Sequence, residues 1–398
     1  MANDLTFNQI STILNSILVQ ANGTSNIVVT DTSSFVTAGQ EALKAGYDTL
    51  STAISQVLSK TIFSVRPYSA KFKGLEMSVQ QYGNMMRKLS VIDKAFEDDP
   101  SIDPTVIVDG GSVDPWVINK PLVQSEMFYG REVVSKSLTL YDWQLDQAFN
   151  GPDQFASFIG MMMQNVSDML EQARENTKRM TLVNLIGAII GNYSTDQQVQ
   201  LVTEYNAYIG ASPALTWADI CASNSDYQRF MRFAYGRIAT VASLFTERSA
   251  KYHVSMPGKT IMRHTPYEDQ RLYMLGQERY SMEAQVLADA FHDNYLKYAD
   301  VETVNFWQAI NSPDEINVTP SYLETTGGNA GTIQKGAAVN QTGIFAVLMD
   351  RDAAGVVQMN ERARTAYNPR GEYTNYFFST ANQYYNSFTE NAVVFTLD

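Results

Sequence analysis

Short apolar runs near the end of the chain predict buried strands. Residues 344–349 are apolar without interruption and are flanked by turn-forming residues, which is typical of a strand buried on both faces. A polar segment, 360–364, predicts a bend, and the aromatic-rich run 373–378 suits a half-buried strand. Between them, Asn368-Pro369-Arg370-Gly371 predicts a turn, because Pro fixes φ and Gly accepts a positive φ. A final strand is predicted over 391–395.

Residues 152–191 carry the longest helical pattern. A stripe steps by four and three through Phe155, Ile159, Met162, Val166, Met169, Ala173, Asn176, Met180 and Val183. This spacing predicts a narrow buried line along one long helix. Pro152 suits its first position and Gly191 its end. At ~1.5 Å per residue the helix is roughly 60 Å long.

Residues 1–66 predict an N-terminal arm of helical pieces. Apolar residues from Phe7 to Leu18 recur at helical spacing, and Asn22-Gly23 ends that helix. A second helix is predicted over 34–59. Neither helix can bury its apolar stripe alone, so each needs a partner in this chain or in a neighbouring copy.

Residues 67–142 predict a long two-stranded excursion, with an outgoing arm over 68–92 and a returning arm over 116–141. The segment between the arms is acidic: residues 97–114 contain six carboxylates, no basic residue and several turn formers. The spacing of these carboxylates does not match a calcium-binding EF-hand loop. We therefore interpret the segment as a solvated acidic tip.

Residues 194–342 predict a compact α/β unit. Its predicted elements are helices over 226–248, 266–273 and 284–291, a strand over 260–262 and an extended segment over 301–310. The glycine-rich segment 325–342 predicts a flexible loop. It lacks the Lys-Ser/Thr pair that a phosphate-binding loop requires.

Composition and charge reduce the range of functions that the protein can have. The 398 residues are 44% apolar and only 18% charged, with 22 Tyr, 19 Phe and 17 Met. That mix suits surfaces that contact other proteins, although an aromatic-rich core gives the same counts. The net charge of −13, without a Lys/Arg cluster, argues against specific nucleic-acid binding and against binding to anionic membranes. The single cysteine, Cys221, indicates a reducing compartment, and no signal peptide or membrane span is recognisable.

Residues suited to catalysis are sparse. The three histidines, His253, His264 and His292, lie in no metal-binding pattern, and no nucleophile elbow, P-loop or dinucleotide fingerprint is present. Arg263-His264 near Glu268 and Asp269 forms the best local cluster, and ion-paired surface helices have the same appearance. We predict no catalytic, cofactor-binding or metal-binding residue, and no enzyme.

The C-terminal motifs resemble a known family. They are the strand end Leu348-Met349-Asp350-Arg351-Asp352, the Asn368-Pro369-Arg370-Gly371 turn, the aromatic run 373–378 and the closing Asn391-Ala392-Val393. Together they resemble the C-terminal region of the major capsid proteins of short-tailed, double-stranded DNA bacteriophages, which share the Hong Kong 97-like capsid fold. The resemblance covers about one seventh of the chain, and elsewhere the order of segments agrees.

The resemblance implies an α+β Hong Kong 97-like fold in five parts. They are an N-terminal arm (1–66), an extended β-hairpin loop with the first peripheral strands (67–142), a peripheral domain with a long spine helix (143–193), an axial domain (194–342) and C-terminal strands (343–398). In that family the extended loop reaches across an adjacent subunit. Some relatives cross-link Lys to Asn of a neighbour; Lys71 or Lys73 could take that role, but no residue signals it and we predict no cross-link.

The implied function is structural. Copies of the chain would assemble as pentamers and hexamers into an icosahedral shell that encloses double-stranded DNA without sequence-specific binding. The expected partners are copies of itself, a separate scaffolding protein, a portal and a decoration protein, with no membrane. A separate scaffold is expected because the sequence contains no additional charged N-terminal helical domain. The expected location is the virion capsid, assembled in the cytoplasm of the bacterial host.

We expect the following residues at contacts between subunits: Tyr68, Phe72, Tyr82, Trp116, Phe128, Tyr129, Arg131, Glu132, Arg362, Arg364 and Arg370. Arg131 and Glu132 are expected to act as an ion-capable pair. The alternative for each residue is ordinary core or solvated surface. Three other functions remain open at this point: a nanocompartment shell of the same fold, a fibre or adhesion protein with all-β architecture, and a cytosolic enzyme without recognisable motifs.

Overall fold

The structure is a computed structural model that describes residues 14–16, 19, 32–44, 71–77, 86–92, 112, 114, 116, 118, 120, 122–148, 152–193, 195–256, 260–287 and 300–398. Its helices are α1 (Thr32–Lys44), α2 (Asp142–Ala148), α3 (Pro152–Asn192), α4 (Leu201–Ile209), α5 (Trp217–Ala222), α6 (Asn224–Thr246) and α7 (Gly276–Leu287). Short 3-10 turns cover Lys73–Leu75, Thr195–Gln197 and Tyr267–Asp269.

The strands follow the same chain order. They are β1 (Met86–Ile92), β2 (Leu122–Phe128), β3 (Arg131–Tyr141), β4 (Gln198–Gln200), β5 (Gln270–Leu275), β6 (Asp300–Val304), β7 (Ile316–Val318), β8 (Ser321–Leu323), β9 (Ile333–Lys335), β10 (Val339–Gln341), β11 (Ile344–Asp350), β12 (Ala354–Asn368), β13 (Tyr373–Asn386) and β14 (Ala392–Thr396).

The chain divides into two compact units. The first unit comprises Met1–Tyr82, Gly130–Lys178 and Val356–Tyr384, and the second comprises Gly83–Tyr129, Arg179–Gly355 and Tyr385–Asp398. Each unit therefore draws on distant parts of the sequence. The predicted five-part division remains a prediction.

A five-stranded sheet forms the centre of the second unit, in the order β4-β14-β11-β5-β6. Strand β11 pairs antiparallel with both β14 and β5, and all seven of its residues are buried. The uninterrupted apolar run 344–349 is thus confirmed as a central strand, and 391–395 is confirmed as its neighbour β14. An apolar strand buried on both faces is what such a run predicts.

Helix α6 packs on this sheet and confirms the predicted helix over 226–248 to within two residues. Phe230, Ala234, Ile238, Val241 and Phe245 lie in the core cluster that includes Leu272, Leu348 and Phe395 of the sheet. The side chain of Ser223 accepts a hydrogen bond from the backbone N–H of Asp226 and so caps the helix. Leu244, an apolar residue of the same helix, is partly exposed.

Other predictions in the second unit are only partly right. Residues 260–262 form no strand, and a single bridge joins Arg263 to Ser249. Residues 266–273, predicted helical, form a 3-10 turn followed by β5, because Gln270 onwards is buried between β11 and β6. The helix predicted over 284–291 begins earlier, as α7, and its last four residues lie outside the described residues. The segment 301–310 is a strand only in its first part, and 325–342 contains β9 and β10.

A three-stranded sheet, in the order β12-β13-β3, belongs to the first unit. The bend predicted over 360–364 is wrong, because β12 continues through it as a 15-residue strand. Its residues 361–366 alternate between half-buried and exposed, so the polar positions are one face of a strand and not a turn.

The predicted Asn368-Pro369-Arg370-Gly371 turn connects β12 to β13. The side-chain Oδ1 of Asn368 accepts hydrogen bonds from the backbone N–H groups of Arg370 (3.1 Å) and Gly371 (3.2 Å). The positive φ lies at Glu372 (49°) and not at Gly371 as predicted. Gly371 is needed for another reason, since a Cβ there would collide with the ring of Tyr373.

The predicted two-stranded excursion is shorter than expected. Strands β1 and β2 pair antiparallel from Met86 with Phe128 to Ile92 with Leu122. Residues 131–141, predicted to belong to the returning arm, form β3 and pair with β13, with Tyr141 opposite Tyr373. We refer to β1 and β2 as the hairpin. Most of the acidic segment 97–114 lies outside the described residues.

Helix α3, with 41 residues, confirms the predicted long helix and its start at Pro152. The predicted buried stripe is wrong in its middle: Met169 is 38% exposed, Met180 is 56% exposed and Asn176 is also exposed. Phe155, Ile159 and Met162 have side chains outside the described residues. The face that is buried instead carries charged residues, and the partners of two of them, Arg174 and Lys178, include residues far away in the sequence.

Of the N-terminal arm, only short pieces lie within the described residues. Residues 14–16 and 19 are helical, as predicted for the first helix, and α1 accounts for the first part of the second helix predicted over 34–59.

Candidate assembly surface

The hairpin presents an apolar face to solvent. Along β1 and β2 the outward side chains include Leu89, Val91, Val123 and Met127, which are 60%, 64%, 56% and 47% exposed. The register places Val91 opposite Val123 and Arg87 opposite Met127, so all of these side chains share one face. An exposed apolar strip of this kind marks a surface that contacts another molecule.

The opposite face of the hairpin is polar and packs against the rest of the second unit. Glu126 on β2 accepts hydrogen bonds from the hydroxyls of Thr389 (2.6 Å, Oε1) and Ser387 (3.0 Å, Oε2). Lys88 on β1 donates from Nζ to the Ser387 hydroxyl (3.0 Å) and forms an ion pair with Glu390. The usual alternation of a half-buried strand is therefore reversed, with polar side chains inside.

Arg263 completes the contact between the hairpin and its unit. Its Nη2 lies 2.8 Å from the Ser90 hydroxyl and 3.3 Å from Oε1 of Glu390, and its Nε donates to the Thr389 carbonyl (3.1 Å). We call these seven residues the hairpin anchor: Lys88, Ser90, Glu126, Arg263, Ser387, Thr389 and Glu390. Two cations balance two carboxylates, so the anchor is neutral and holds the hairpin by directional bonds.

Two further buried polar side chains of this region, Asp350 and His253, are held by hydrogen bonds. Asp350 accepts hydrogen bonds from the Thr265 hydroxyl (2.7 Å) and the Asp352 backbone N–H (2.8 Å), and burial raises the pKa of its carboxyl. His253 lies with Nε2 2.8 Å from the Ile261 carbonyl oxygen and Nδ1 3.1 Å from Oδ1 of Asn391. Burial lowers the pKa of this imidazole, which favours the neutral form.

The local cluster predicted around Arg263-His264 does not come together. Arg263 is part of the hairpin anchor, and His264 is exposed. Asp269 forms an ion pair with Arg351 at 3.1 Å. Within the described ranges, no group of three or more His, Cys, Asp or Glu side chains could hold a metal ion. No helix in the same ranges is long and apolar enough to cross a membrane.

A second exposed surface lies on the three-stranded sheet. The inward positions of β13, such as Thr374, Tyr376 and Phe378, are buried. The outward positions are open, and they include Arg131 on β3 and Arg362 and Arg364 on β12. We call this outward side of β12, β13 and β3 the arginine face.

The buried side of α3 carries the charges that hold the first unit together. Arg174 Nη1 lies 2.6 Å from Oε1 of Glu171, and its Nη2 pairs with Glu361 on β12. Lys178 is 2% exposed and pairs with Glu76, while the backbone N–H of Lys71 lies 3.4 Å from Glu175. These contacts fix the segment 71–77 and β12 to the helix.

The aromatic residues predicted at subunit contacts occupy different environments. Trp116 is 85% exposed and Tyr129 is also exposed, whereas Phe128 is half-buried and packs on Tyr385 with 4.9 Å between ring centroids. Phe72 is 1% exposed, with a left-handed φ of 59°, and forms part of the core of its own chain. Tyr68 and Tyr82 lie outside the described residues.

The charged residues predicted at subunit contacts are mostly exposed. Arg362 and Arg364 share the arginine face, and Arg370 is exposed in the turn after β12. Arg131 is exposed and Glu132 is half-buried, because neighbours on a strand point to opposite faces. Their expected action as an ion-capable pair at a subunit contact remains a prediction. Glu132 points inward and accepts a hydrogen bond from Thr177 of α3.

Sequence reasoning missed the hairpin anchor. The anchor residues come from three separate stretches, around positions 88–126, 263 and 387–390, and no local motif connects them. The only signal within the sequence is the alternation Lys88-Leu89-Ser90-Val91, which separates polar from apolar positions without telling which side is buried.

The fold is similar to that of chains in solved phage structures. It superposes on a chain of the capsid structure of Staphylococcus phage Andhra with a TM-score of 0.53, at 12% identity over 83% of this chain and 86% of that chain. It is equally similar to a chain in the structure of the head fiber and inner core protein gp22 of native bacteriophage P68, with a TM-score of 0.53, at 12% identity over 84% and 86% of the two chains. The predicted mixed helix and sheet architecture is confirmed, and it is compatible with a Hong Kong 97-like fold.

The sequence itself defines the family. A model of the Phi29-like phage major capsid proteins matches residues 10–396, and the chain belongs to this family. It is a phage major capsid protein, a structural component of the virion. The sequence matched none of the curated proteins. The predicted resemblance to phage capsid proteins is confirmed, and the all-β fibre alternative is wrong because α3 alone spans 41 residues.

Proposed function

We propose that copies of this chain assemble as pentamers and hexamers into a closed icosahedral shell that encloses double-stranded DNA, with the hairpin as one of the elements that join neighbouring copies. The observation that carries the proposal is the reversed polarity of the hairpin. Its polar face is bound by the hairpin anchor, so its apolar face is left for another molecule. In a chain that builds a shell, that molecule is a second copy.

The energetics favour many weak contacts of one kind. Covering a side chain that is about 60% exposed contributes on the order of 1 kcal/mol at ~25 cal/mol per Å². A few such side chains give a weak contact between two copies, and closed symmetry repeats that contact throughout the shell. Weak individual contacts allow misplaced copies to dissociate, and their sum gives a stable particle.

The proposed partners are copies of the chain, a separate scaffolding protein, a portal and a decoration protein. Residues 194–342 form the rings of five and six in this proposal, and the arm 1–66 and the loop 67–142 join the rings. The net charge of −13 supports a shell that encloses DNA without sequence-specific binding. Assembly takes place in the cytoplasm of the bacterial host.

Electron microscopy of the purified protein, with light scattering for mass, tests the proposal. Closed shells, or rings of five and six, are the expected result. A monodisperse monomer or dimer at every protein concentration, even with a scaffolding protein supplied, would rule it out.

The role of the hairpin is tested by Leu89→Ser/Val91→Ser. This double variant removes apolar surface from the outward face only, so its unfolding should resemble that of the wild type while shell assembly is lost or needs at least about tenfold more protein. Arg87→Gln is the matched control, since Arg87 lies on the same face of the same strand and contributes little apolar area. Normal assembly of the double variant would show that the apolar face is not a contact.

A further inference from the structure

Two polar side chains without partners lie on the side of the three-stranded sheet that faces α3. Asn382 and Thr380 are two residues apart on β13, at the inward positions that continue from Tyr376 and Phe378. Asn382 is 1% exposed and Thr380 is fully buried. In the part of the chain that the structure describes, both amide atoms of Asn382 and the hydroxyl of Thr380 lack a hydrogen-bond partner. Because unpaired polar groups are costly to bury, this place is a candidate binding site.

A carboxylate lies directly opposite these groups. The register of β13 with β3 pairs Asn382 with Glu132, and directly opposite side chains share a face with their Cβ atoms about 5 Å apart. Glu132 is half-buried, and its Oε2 accepts a hydrogen bond from the Thr177 hydroxyl of α3. Thr380 lies two residues further along the same face of β13. A carboxylate, an amide oxygen and two hydroxyl oxygens therefore meet between the sheet and the helix.

The charges beside this place favour a cation over an anion. One turn before Thr177 on α3, Arg174 lies between two carboxylates, with Glu171 at 2.6 Å from its Nη1 and Glu361 beside its Nη2. Glu132 adds a third carboxylate to the same layer. These four charged side chains carry an excess of negative charge, which a bound cation offsets and a bound anion increases.

The donor atoms indicate which cation. Ca²⁺ takes about six to eight oxygen ligands in a flexible geometry and accepts carboxylate, amide and water oxygens, whereas Mg²⁺ demands a near-ideal octahedron. We propose that Glu132, Thr380 and Asn382 form a binding site for one Ca²⁺ ion between the three-stranded sheet and α3, with water completing the ligands. The site combines one carboxylate with neutral oxygens, so it differs from the clusters of three or more His, Cys, Asp or Glu side chains that the described ranges lack. The inference does not depend on shell assembly.

The small number of charged ligands predicts a weak site, with a Kd on the order of 10⁻⁴–10⁻³ M. Its ligands come from β3 and β13, which are far apart in sequence, so the site exists only when the sheet is folded. Ca²⁺ should therefore stabilise the folded protein by binding to it alone.

Urea denaturation of the full-length protein tests the inference. The protein is freed of metal with EDTA, transferred to buffer without EDTA, and titrated with CaCl₂ at constant ionic strength. At about 10 mM CaCl₂ the unfolding equilibrium constant should fall about tenfold or more. MgCl₂ at the same concentration should have a smaller effect.

Variants of the site show where the ion binds. Asn382→Leu/Thr380→Val should lose the response to Ca²⁺, and without Ca²⁺ it should be at least as stable as the wild type, because apolar groups replace unpaired polar ones. Asn375→Leu/Ser379→Val is the matched control, since it makes similar changes at outward positions of the same strand and should keep the response. Glu132→Gln should weaken the response.

A gain of affinity provides an independent test. Asn382→Asp adds a second carboxylate to the site, so it should bind Ca²⁺ at least about tenfold more tightly than the wild type in calorimetric titration. If circular dichroism shows that Asn382→Leu/Thr380→Val is poorly folded, Asn382→Asp and Glu132→Gln decide the question, because each changes a single side-chain group.

Two results would overturn the inference. An equal response to Ca²⁺ in the wild type and in the site variants would place the ion elsewhere, for example on the acidic segment 97–114. No response of the wild type up to about 10 mM CaCl₂ would show that Asn382 and Thr380 hold no ion.

Discussion

Glu278 lies in the first turn of α7 with its side chain buried. Burial, together with the negative charge of Asp314, raises the pKa of this carboxyl to about 7. Its Oε2 atom has no hydrogen-bond partner, so no hydrogen bond at that atom offsets the cost of moving the charge out of water. The residue is a source of pH-dependent stability within the second unit.

The sign of that dependence follows from proton linkage. Between about pH 4.3, the ordinary pKa of Glu, and about pH 7, the folded protein holds a proton that the unfolded protein has released. The contribution of Glu278 to the free energy of unfolding therefore falls as pH rises through this window. At pH 8 the buried carboxylate costs roughly 2–3 kcal/mol, and at pH 4 it costs almost nothing.

We therefore expect Glu278→Gln to stabilise the protein at pH 8 and to be nearly neutral at pH 4. Urea denaturation of the purified protein at both pH values measures the difference. Glu283→Gln is the control on the same helix, because Glu283 is half-buried at most and pairs with Arg279 at 2.9 Å. An equal effect of Glu278→Gln at both pH values would contradict the assignment.

At the scale of elements, α3 shows how a long helix can bury charge. Arg174 joins Glu171 on the helix to Glu361 on β12, and all three side chains are largely shielded from water. Replacing a buried ion-pair network with apolar groups is often tolerated, but removing one partner leaves an uncompensated charge. The network therefore fixes β12 to the helix more than it adds stability.

Arg174→Met should accordingly lower the free energy of unfolding by about 3–5 kcal/mol at pH 7, because two carboxylates lose their counter-charge. The triple variant Arg174→Met/Glu171→Gln/Glu361→Gln should recover most of that loss. Gln172→Met, at an exposed position of the same helix, is the control. Denaturant titration of the four proteins gives the comparison, and a triple variant as unstable as the single one would contradict this account.

At the scale of the whole molecule, the net charge of −13 opposes the approach of identical copies. Raising the salt concentration from about 0.01 M to about 0.15 M shortens the Debye length from about 30 Å to about 8 Å and weakens this repulsion. The apolar contact of the hairpin is not weakened by the same change. Assembly should therefore begin at a lower protein concentration in the higher salt.

Light scattering against protein concentration at each salt concentration measures this threshold. A threshold that rises between about 0.01 M and 0.15 M salt would show that attraction between charges dominates the contacts.

Several elements could be predicted because local pattern decides them. The run 344–349 is apolar throughout, so it forms a strand only if both faces are covered, and β11 is covered on both. Helix α3 follows from a helical spacing maintained over forty residues between Pro152 and Gly191, and the turn after β12 follows from Asn368 and Pro369. In each case the signal lies within a few residues of the structure that it specifies.

Other features could not be predicted, because their partners are distant in sequence. Strand β3 leaves the hairpin because β13, more than 230 residues away, pairs with it. The Met169 and Met180 positions of α3 were predicted buried because they are apolar, yet the partners offered by β12 and the segment 71–77 are carboxylates and select the charged side of the helix.

The sequence by itself determined the family, the long helix, the central strand and the acidic character of the molecule, since these depend on composition, on local periodicity and on motifs that stay together. Only the tertiary structure decided which face of each element is covered. In the hairpin the alternation of Lys88, Leu89, Ser90 and Val91 allows either side to be buried. The contacts of Lys88 with Glu390 and of Glu126 with Thr389 bury the polar side. The physical reason is that burial is a property of pairs of surfaces, and the second surface of each pair lies elsewhere in the chain.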